Sequence, residues 1–292
     1  MTEQPDHRAS VDIPTERLGL RATIRLALSG TELDFTRGPV GRAIVLLAIP
    51  MVLEMVMESA FAITDAFFVS RLGVDAVATV GFTEAMITIV FAVAIGMSMA
   101  TTAMVARRIG EKDNAGARMA AVQAILLGIA AAVLIAVPGA IFATELLRMM
   151  GGTPELVAFG SGYTRVLLGG CVTIMLLFLI NAVFRGAGDP ALAMRALWLA
   201  NGCNILLDPC LIFGLGPFPE LGVTGAAVAT TIGRGIGVAY QLWMLASGRG
   251  RIRIRLRDVR VIPPVMLRLI RVSVGGILQF LIETSSWIVL VW

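Results

Sequence analysis

Residues 44–69 read IVLLAIPMVLEMVMESAFAITDAFFV. The run is long enough to cross a bilayer as a helix, which needs about 20 mainly apolar residues. It carries three acids, Glu54, Glu58 and Asp65, spaced by four and by seven. At about 100° per residue they share an arc of about 40°. A charged side chain at the centre of a bilayer costs about 2.5–3.5 kcal/mol even on the lenient insertion scale. An apolar helix with one acidic stripe therefore belongs in a bundle, with that stripe turned inward.

Six more apolar runs follow, at 77–106, 120–142, 163–183, 191–213, 223–245 and 265–292. The composition agrees: 57% of the 292 residues are hydrophobic and only 15% are charged. An average soluble domain carries about 25% charged residues, so a disordered chain and a soluble enzyme are both poor readings. A barrel is excluded because the runs are continuous rather than alternating segments of about 10 residues. The expected class is an all-α integral membrane protein.

Basic residues set the orientation. The head, residues 1–43, holds six arginines, and the connections after the second, fourth and sixth runs bring the total on one side to 20. The other side has Arg71, Arg148 and Arg165. By the positive-inside rule the N-terminus is cytoplasmic, and a multi-pass protein of the inner (plasma) membrane is expected. Thr15 to Leu28 reads as an amphipathic surface helix, with Arg17, Arg21 and Arg25 at helical spacing. The basic run Arg251 to Arg257 reads as a cytoplasmic linker beside anionic lipid. The net charge of +4 is thus a matter of topology, and nucleic acid is not an expected partner. Cys171, Cys203 and Cys210 lie in apolar runs without metal-ligand spacing and read as small buried residues. His7, the single histidine, lies in the polar head and has no catalytic setting.

A shift of 225 residues places Leu53 on Leu278, Glu58 on Glu283 and Ile63 on Ile288. Repeated halves are typical of secondary transporters. The expected organisation is a cytoplasmic segment (1–43), a six-helix lobe (44–246), a linker (247–264) and the first helix of a truncated second lobe (265–292). That helix reaches Trp292 with no polar flank, so the rest of the second lobe is expected elsewhere.

The fifth run supplies Asn201, Asn204 and Asp208 on one face, and Pro209 frees the carbonyl of Ile205. Two amides, a carboxylate and a carbonyl suit a hard cation; a buried polar patch that fixes packing is the other reading. At about 1.5 Å per residue, Asp65 and Asp208 lie about 31 and 25 Å from the cytoplasmic starts of their runs. Thr230 lies about 10 Å below the outer end of the sixth. All three reach the outer half. Glu84 and Glu283 complete six carboxylates within or at the ends of spans. Pro50 reads as a hinge or as a static kink. Arg234, midway along the sixth run, is expected to offset Glu54 or Glu58, as a supporting polar group or a structural ion pair. Met51, Met55, Met57, Met97, Met99 and Met104 suit an adaptable apolar cavity. No GxxxxGK[ST], HExxH or GxSxG occurs, so no cofactor and no enzyme chemistry are expected.

These residues together resemble the multidrug and toxic compound extrusion (MATE) family. The resemblance is carried by Leu47-Ala-Ile-Pro50, Ile63-Thr-Asp65 to Gly73, Val105 to Asp113, Phe184 to Asp189, Asn204 to Pro209 and Gly222 to Thr230. Ser70 departs from the glycine more usual there. The resemblance implies a two-lobe, twelve-helix antiporter that exports organic, often cationic, compounds in exchange for H⁺ or Na⁺. It implies a cation site at Asp65, Asn204, Asp208 and Thr230, with a carbonyl from Ala226, and possible Na⁺ on the first three. It also implies that the missing second lobe, the bilayer and a small organic substrate are the partners. The alternatives are a lipid-linked oligosaccharide flippase of the same superfamily, which would carry a more cationic cavity, or an inactive fragment.

Overall fold

Each apolar run becomes a helix because hydrocarbon offers the backbone no other hydrogen-bond partner. A computed structural model describes residues 11–12, 19–29, 33–34 and 39–291. Its helices are α1 (Leu20–Leu28), α2 (Val40–Ser70), α3 (Val74–Gly110), α4 (Asn114–Ile141), α5 (Ala143–Met149), α6 (Pro154–Gly169), α7 (Cys171–Gly186), α8 (Pro190–Phe213), α9 (Val223–Ser247) and α10 (Pro263–Val291). Two-residue strands, Val11–Asp12 and Leu33–Asp34, pair in parallel in the head. His7, Arg8, Arg17, Arg37 and Trp292 lie outside the described residues.

Among the described residues, six helices are long and apolar enough to cross a membrane: α2, α3, α4, the α6–α7 pair taken as one span, α8 and α10. The sixth expected span, α9, has the length but not the apolarity, because Gly225, Gly233, Gly235, Gly237, Arg234 and Gln241 dilute it. Its neighbours bury those residues instead, except Gly235. The fourth run also starts earlier than expected. Thr153 caps α6 by accepting a hydrogen bond from the Leu156 amide at 3.3 Å, and Pro154 opens its first turn. Arg165, counted above with an outer connection, therefore lies inside α6. The short α5 was not expected; it continues from α4 after Phe142.

The core is built around α7, where Ile174, Met175, Leu177, Leu179, Ile180, Val183 and Phe184 are all buried. Against it pack α3, α4, α6, α8 and α9. The closest helix approach concerns α8 and α9. A methyl group on Gly225 would strike the Leu211 carbonyl, and one on Gly233 would sit 2.6 Å from the Ala200 carbonyl oxygen. Such small residues let backbones touch in a membrane, where burial alone gives no reason to associate. α2 lies along α8 and is scarcely buried, with only Leu46, Pro50, Glu54 and Val69 inside. α10 crosses α3 where Gly276 meets Gly96, a methyl on Gly276 falling 2.9 Å from the Gly96 Cα.

Short-range chemistry orders the basic face. Arg107 and Arg108 bond Glu111, and Arg108 also bonds Asp113, which caps α4 by accepting from the Gly116 amide. The hydrogen bond from Arg107 holds the Glu111 carboxyl below its ordinary range. Of the helix expected from Thr15 to Leu28, Leu20–Leu28 forms α1 and residues 15–18 lie outside the described residues; α1 is held by Arg195, whose Nη2 donates to the Leu28 carbonyl at 2.6 Å. The linker after α9 forms no strand. It folds back so that the Ile254 amide donates to the Leu245 carbonyl, and Ile252 is buried. Further on, the fully buried Gln123 of α4 donates to the Arg260 carbonyl at 2.6 Å and accepts from the Ile262 amide at 2.8 Å.

Candidate functional site

Packing of α9 on α8 brings two of the expected site residues, Asn204 and Thr230, into contact. Asn204 donates through Nδ2 to the Thr230 hydroxyl oxygen at 3.0 Å. Ala226 is buried one turn from Thr230 on the same helix. Asp208 is fully buried, and neither of its carboxylate oxygens has a hydrogen-bond partner among the described residues. The same holds for Oδ1 of Asp65 and Oδ1 of Asn204. Asp65 lies within electrostatic reach of Asp208. Four buried acceptor oxygens on three side chains thus lack donors, which is costly unless a cation or a proton supplies the missing charge. The donor set is all oxygen and includes two carboxylates, which fits a hard monovalent ion or H⁺. Among the described residues no three His, Cys, Asp or Glu side chains converge as a site for a multivalent metal.

The structure adds two groups. Tyr163 of α6 is buried within electrostatic reach of Asp65, Asp208, Glu84 and Arg234. Its neighbour Thr164 pairs with Thr83 of α3 at 2.8 Å in the core. Tyr163 opens the expected fourth run and carried no signal there, because its helix begins nine residues earlier. Glu84 is exposed on α3, within reach of Asp65, Arg234 and Glu58. Its acidity was legible in the sequence, but its side of the bundle was not.

Arg234 corrects an expectation. Glu54 pairs with Arg185 of α7, Nη1 to Oε2 at 3.1 Å, rather than with Arg234. Arg185, two residues past the expected end of the fourth run, lies in the last turn of α7 and reaches α2. Arg234 is 8% exposed and has no ion pair among the described residues. Its guanidinium lies over the rings of Phe61 and Phe91, 5.8 and 6.0 Å from their centroids, within electrostatic reach of Glu84 and Asp65. Glu58 accepts from Asn201 Nδ2 at 2.8 Å, and Trp198 Nε1 donates to the Leu53 carbonyl at 3.1 Å. Cys171 is buried, Cys203 and Cys210 are half-buried, and all three are free thiols.

The MatE family model matches residues 50–210. The chain is 31% identical over 192 residues to the FAD transporter of Shewanella oneidensis, covering 66% of this chain and 42% of that one. It is 25% identical over 199 residues to the multidrug export protein MepA of Staphylococcus aureus, covering 68% and 43% respectively. Among solved structures, a MOP superfamily transporter from Pyrococcus furiosus superposes with a TM-score of 0.77 at 32% identity over 91% of this chain and 56% of that one. A MATE transporter in complex with MaL6 superposes with a TM-score of 0.78 at 32% identity, over 89% and 55%. The chain thus spans less than half the length of these curated relatives.

Proposed function

The chain belongs to the MatE family, a family of membrane transporters rather than enzymes, and on that premise we propose that it forms the N-terminal lobe of a cation-coupled antiporter. The antiporter exports organic, often cationic, compounds across the inner membrane in exchange for H⁺ or Na⁺. The N-terminus faces the cytoplasm, residues 44–246 form the lobe, and α10 begins a second lobe that completes the cavity. One observation supports this reading above the others: the four buried oxygens of Asp65, Asn204 and Asp208 that have no donor among the described residues. They would hold the coupling ion or take up the proton, with Thr230 and a carbonyl from Ala226 beside them. Arrival of the ion neutralises two repelling carboxylates, and its loss restores that repulsion. The stripe of Glu58, Asp65 and Glu84 would attract a cationic substrate. The two ligands then compete for the same negative charge, which is the basis of exchange.

The test is gradient-driven dye efflux from vesicles containing this chain joined to a matching second lobe. Asp65→Asn and Asp208→Asn keep the shape and lose the charge, and each should remove most ion-coupled efflux while insertion persists. Wild-type efflux with both substituted would reject the site. Comparing a Na⁺ gradient with a pH gradient identifies the coupling ion.

Arg234 supports a second reading of the substrate. A guanidinium without an ion pair, set over two phenyl rings, suits an aromatic compound carrying an anionic group. The similarity to an FAD transporter points the same way. Competition of flavin nucleotide with a cationic dye for efflux distinguishes the two substrate classes.

A further inference from the structure

α9 turns its polar side chains inward: Thr230, Arg234 and Gln241 are buried, whereas Ile232, Ile236 and Trp243 are 43%, 38% and 48% exposed. At about 100° per residue these three lie within about 20° of the side opposite Arg234. They form an apolar stripe on the outside of the bundle, ending in an indole one turn before Ser247, the last helical residue. Tryptophan at the end of a spanning helix sits at the level of the lipid headgroups. Beyond Ser247 the chain reverses at Gly248, whose φ of 69° is left-handed. Arg249 then lies over Trp243, its guanidinium carbon 4.5 Å from the ring centroid. Arg253 comes back along Gly248, where a methyl group would fall 2.7 Å from its Cδ. Both arginines are exposed, and neither side chain makes a hydrogen bond or an ion pair among the described residues.

The end of α9 is capped without them: the Met244 carbonyl accepts from the Ser247 hydroxyl, and the Leu245 carbonyl accepts from the Ile254 amide. The segment that carries them is already fixed. Ile252 is buried in one cluster with Leu192 and Leu245, and Arg251 donates from Nη1 to the Ala187 carbonyl at 2.9 Å. Two guanidinium groups are thus set in place before any ligand arrives, which lowers the ordering cost of binding one. Paired guanidiniums suit a phosphate, and the stripe below them suits an acyl chain. We propose that Trp243, Arg249 and Arg253 bind the headgroup of an anionic phospholipid, whose acyl chain lies along Ile236 and Ile232. A free phosphate would use only the charged half of this site, so the stripe commits it to a lipid. The site lies on the opposite side of α9 from Thr230 and Arg234, and it does not depend on the antiporter reading.

The test is quenching of Trp243 fluorescence by brominated lipid, in the 292-residue chain with Trp198, Trp287 and Trp292 replaced by Phe. The vesicles mix phosphatidylglycerol with phosphatidylcholine, and one or the other is brominated. The two quenching curves give the preference for anionic lipid at that ring, expected to be at least about fivefold. Arg249→Gln with Arg253→Gln should bring the two lipids close to equality. Either single change should lower the preference, which serves should the double variant fail to fold. Arg21→Gln with Arg25→Gln takes the same charge from exposed positions on α1 and should leave the preference unchanged. Inorganic phosphate in place of chloride, at constant ionic strength, should also leave it unchanged. Equal quenching by the two lipids in the parent chain overturns the proposal. An equal fall with the α1 variant overturns it as well, because surface charge in general then attracts the lipid. A preference abolished by inorganic phosphate assigns the arginines to a soluble anion and overturns the lipid site.

Discussion

Asp208 is buried and neither of its carboxylate oxygens has a donor among the described residues, so a negative charge there costs folding free energy. Asp208→Asn should therefore leave the melting temperature in detergent unchanged or higher while ion coupling falls; a large loss of stability would make Asp208 a structural group. Glu54 and Arg185 behave differently because their exposures differ, with side chains 8% and 24% exposed. Arg185→Gln strands a buried carboxylate whose other oxygen, Oε1, already lacks a partner. Glu54→Gln strands a guanidinium that can reach water. Arg185→Gln should destabilise by about 1–3 kcal/mol and Glu54→Gln by less, read as the order of unfolding midpoints; the reverse order would refute the asymmetry. Asp65, Asn204 and Asp208 were legible in the sequence because an ionisable or amide group in an apolar run is a local anomaly with a local spacing. Tyr163 and the Glu54–Arg185 pair were not. They depend on how far each helix is rotated and shifted against its neighbours, and no single run encodes that.

At the level of helices, glycine spacing on α9 decides how near the amide of Asn204 comes to Thr230. Gly233 faces the α8 backbone, while Gly235 has nothing nearer than Thr173 Cγ2 at 4.0 Å. Gly233→Ala should cost about 1–3 kcal/mol by overpacking and weaken ion coupling, since it pushes α9 off α8. Gly235→Ala should be neutral or add about 0.4–1 kcal/mol by reducing the freedom of the unfolded chain. Thermal melting of the two variants in one detergent checks the contrast, and equal losses would count against it. Pro50→Ala restores a backbone donor inside α2. Export should slow while substrate binding persists; unchanged turnover reduces Pro50 to a static kink. The order of the long helices was legible because apolar length is a strong signal, whereas α5 and the break between α6 and α7 were not. The start of α6 was legible too, in Thr153-Pro154, but hydropathy placed it later because Gly160, Gly162 and Arg165 interrupt the apolar run. The polar dilution of α9 was equally plain, yet only packing shows that neighbours cover it.

For the whole molecule, the shorter span relative to its relatives sets the expectation. Expressed alone, residues 1–292 should insert but give no gradient-driven efflux, and co-expression with a second lobe should restore it. Robust efflux from vesicles holding only this chain would show that it assembles a cavity by itself. The offset of 225 residues is a pattern visible in sequence, but the docking of α10 on α3 through Gly96 and Gly276 is not. The hold of Gln123 on the backbone at Arg260 and Ile262 bears on how α10 finds its place against α3 and α4. A loose tether sets only an effective concentration, which falls as the tether lengthens. A tether fixed at its far end has no slack to lose, so the start of α10 is aimed as well as kept near. Residues inserted around Gly250, before the fixed point, should then bulge into water without loosening the docking of α10. The same insertion after Ile262 would turn an aimed helix into one that must search for its place.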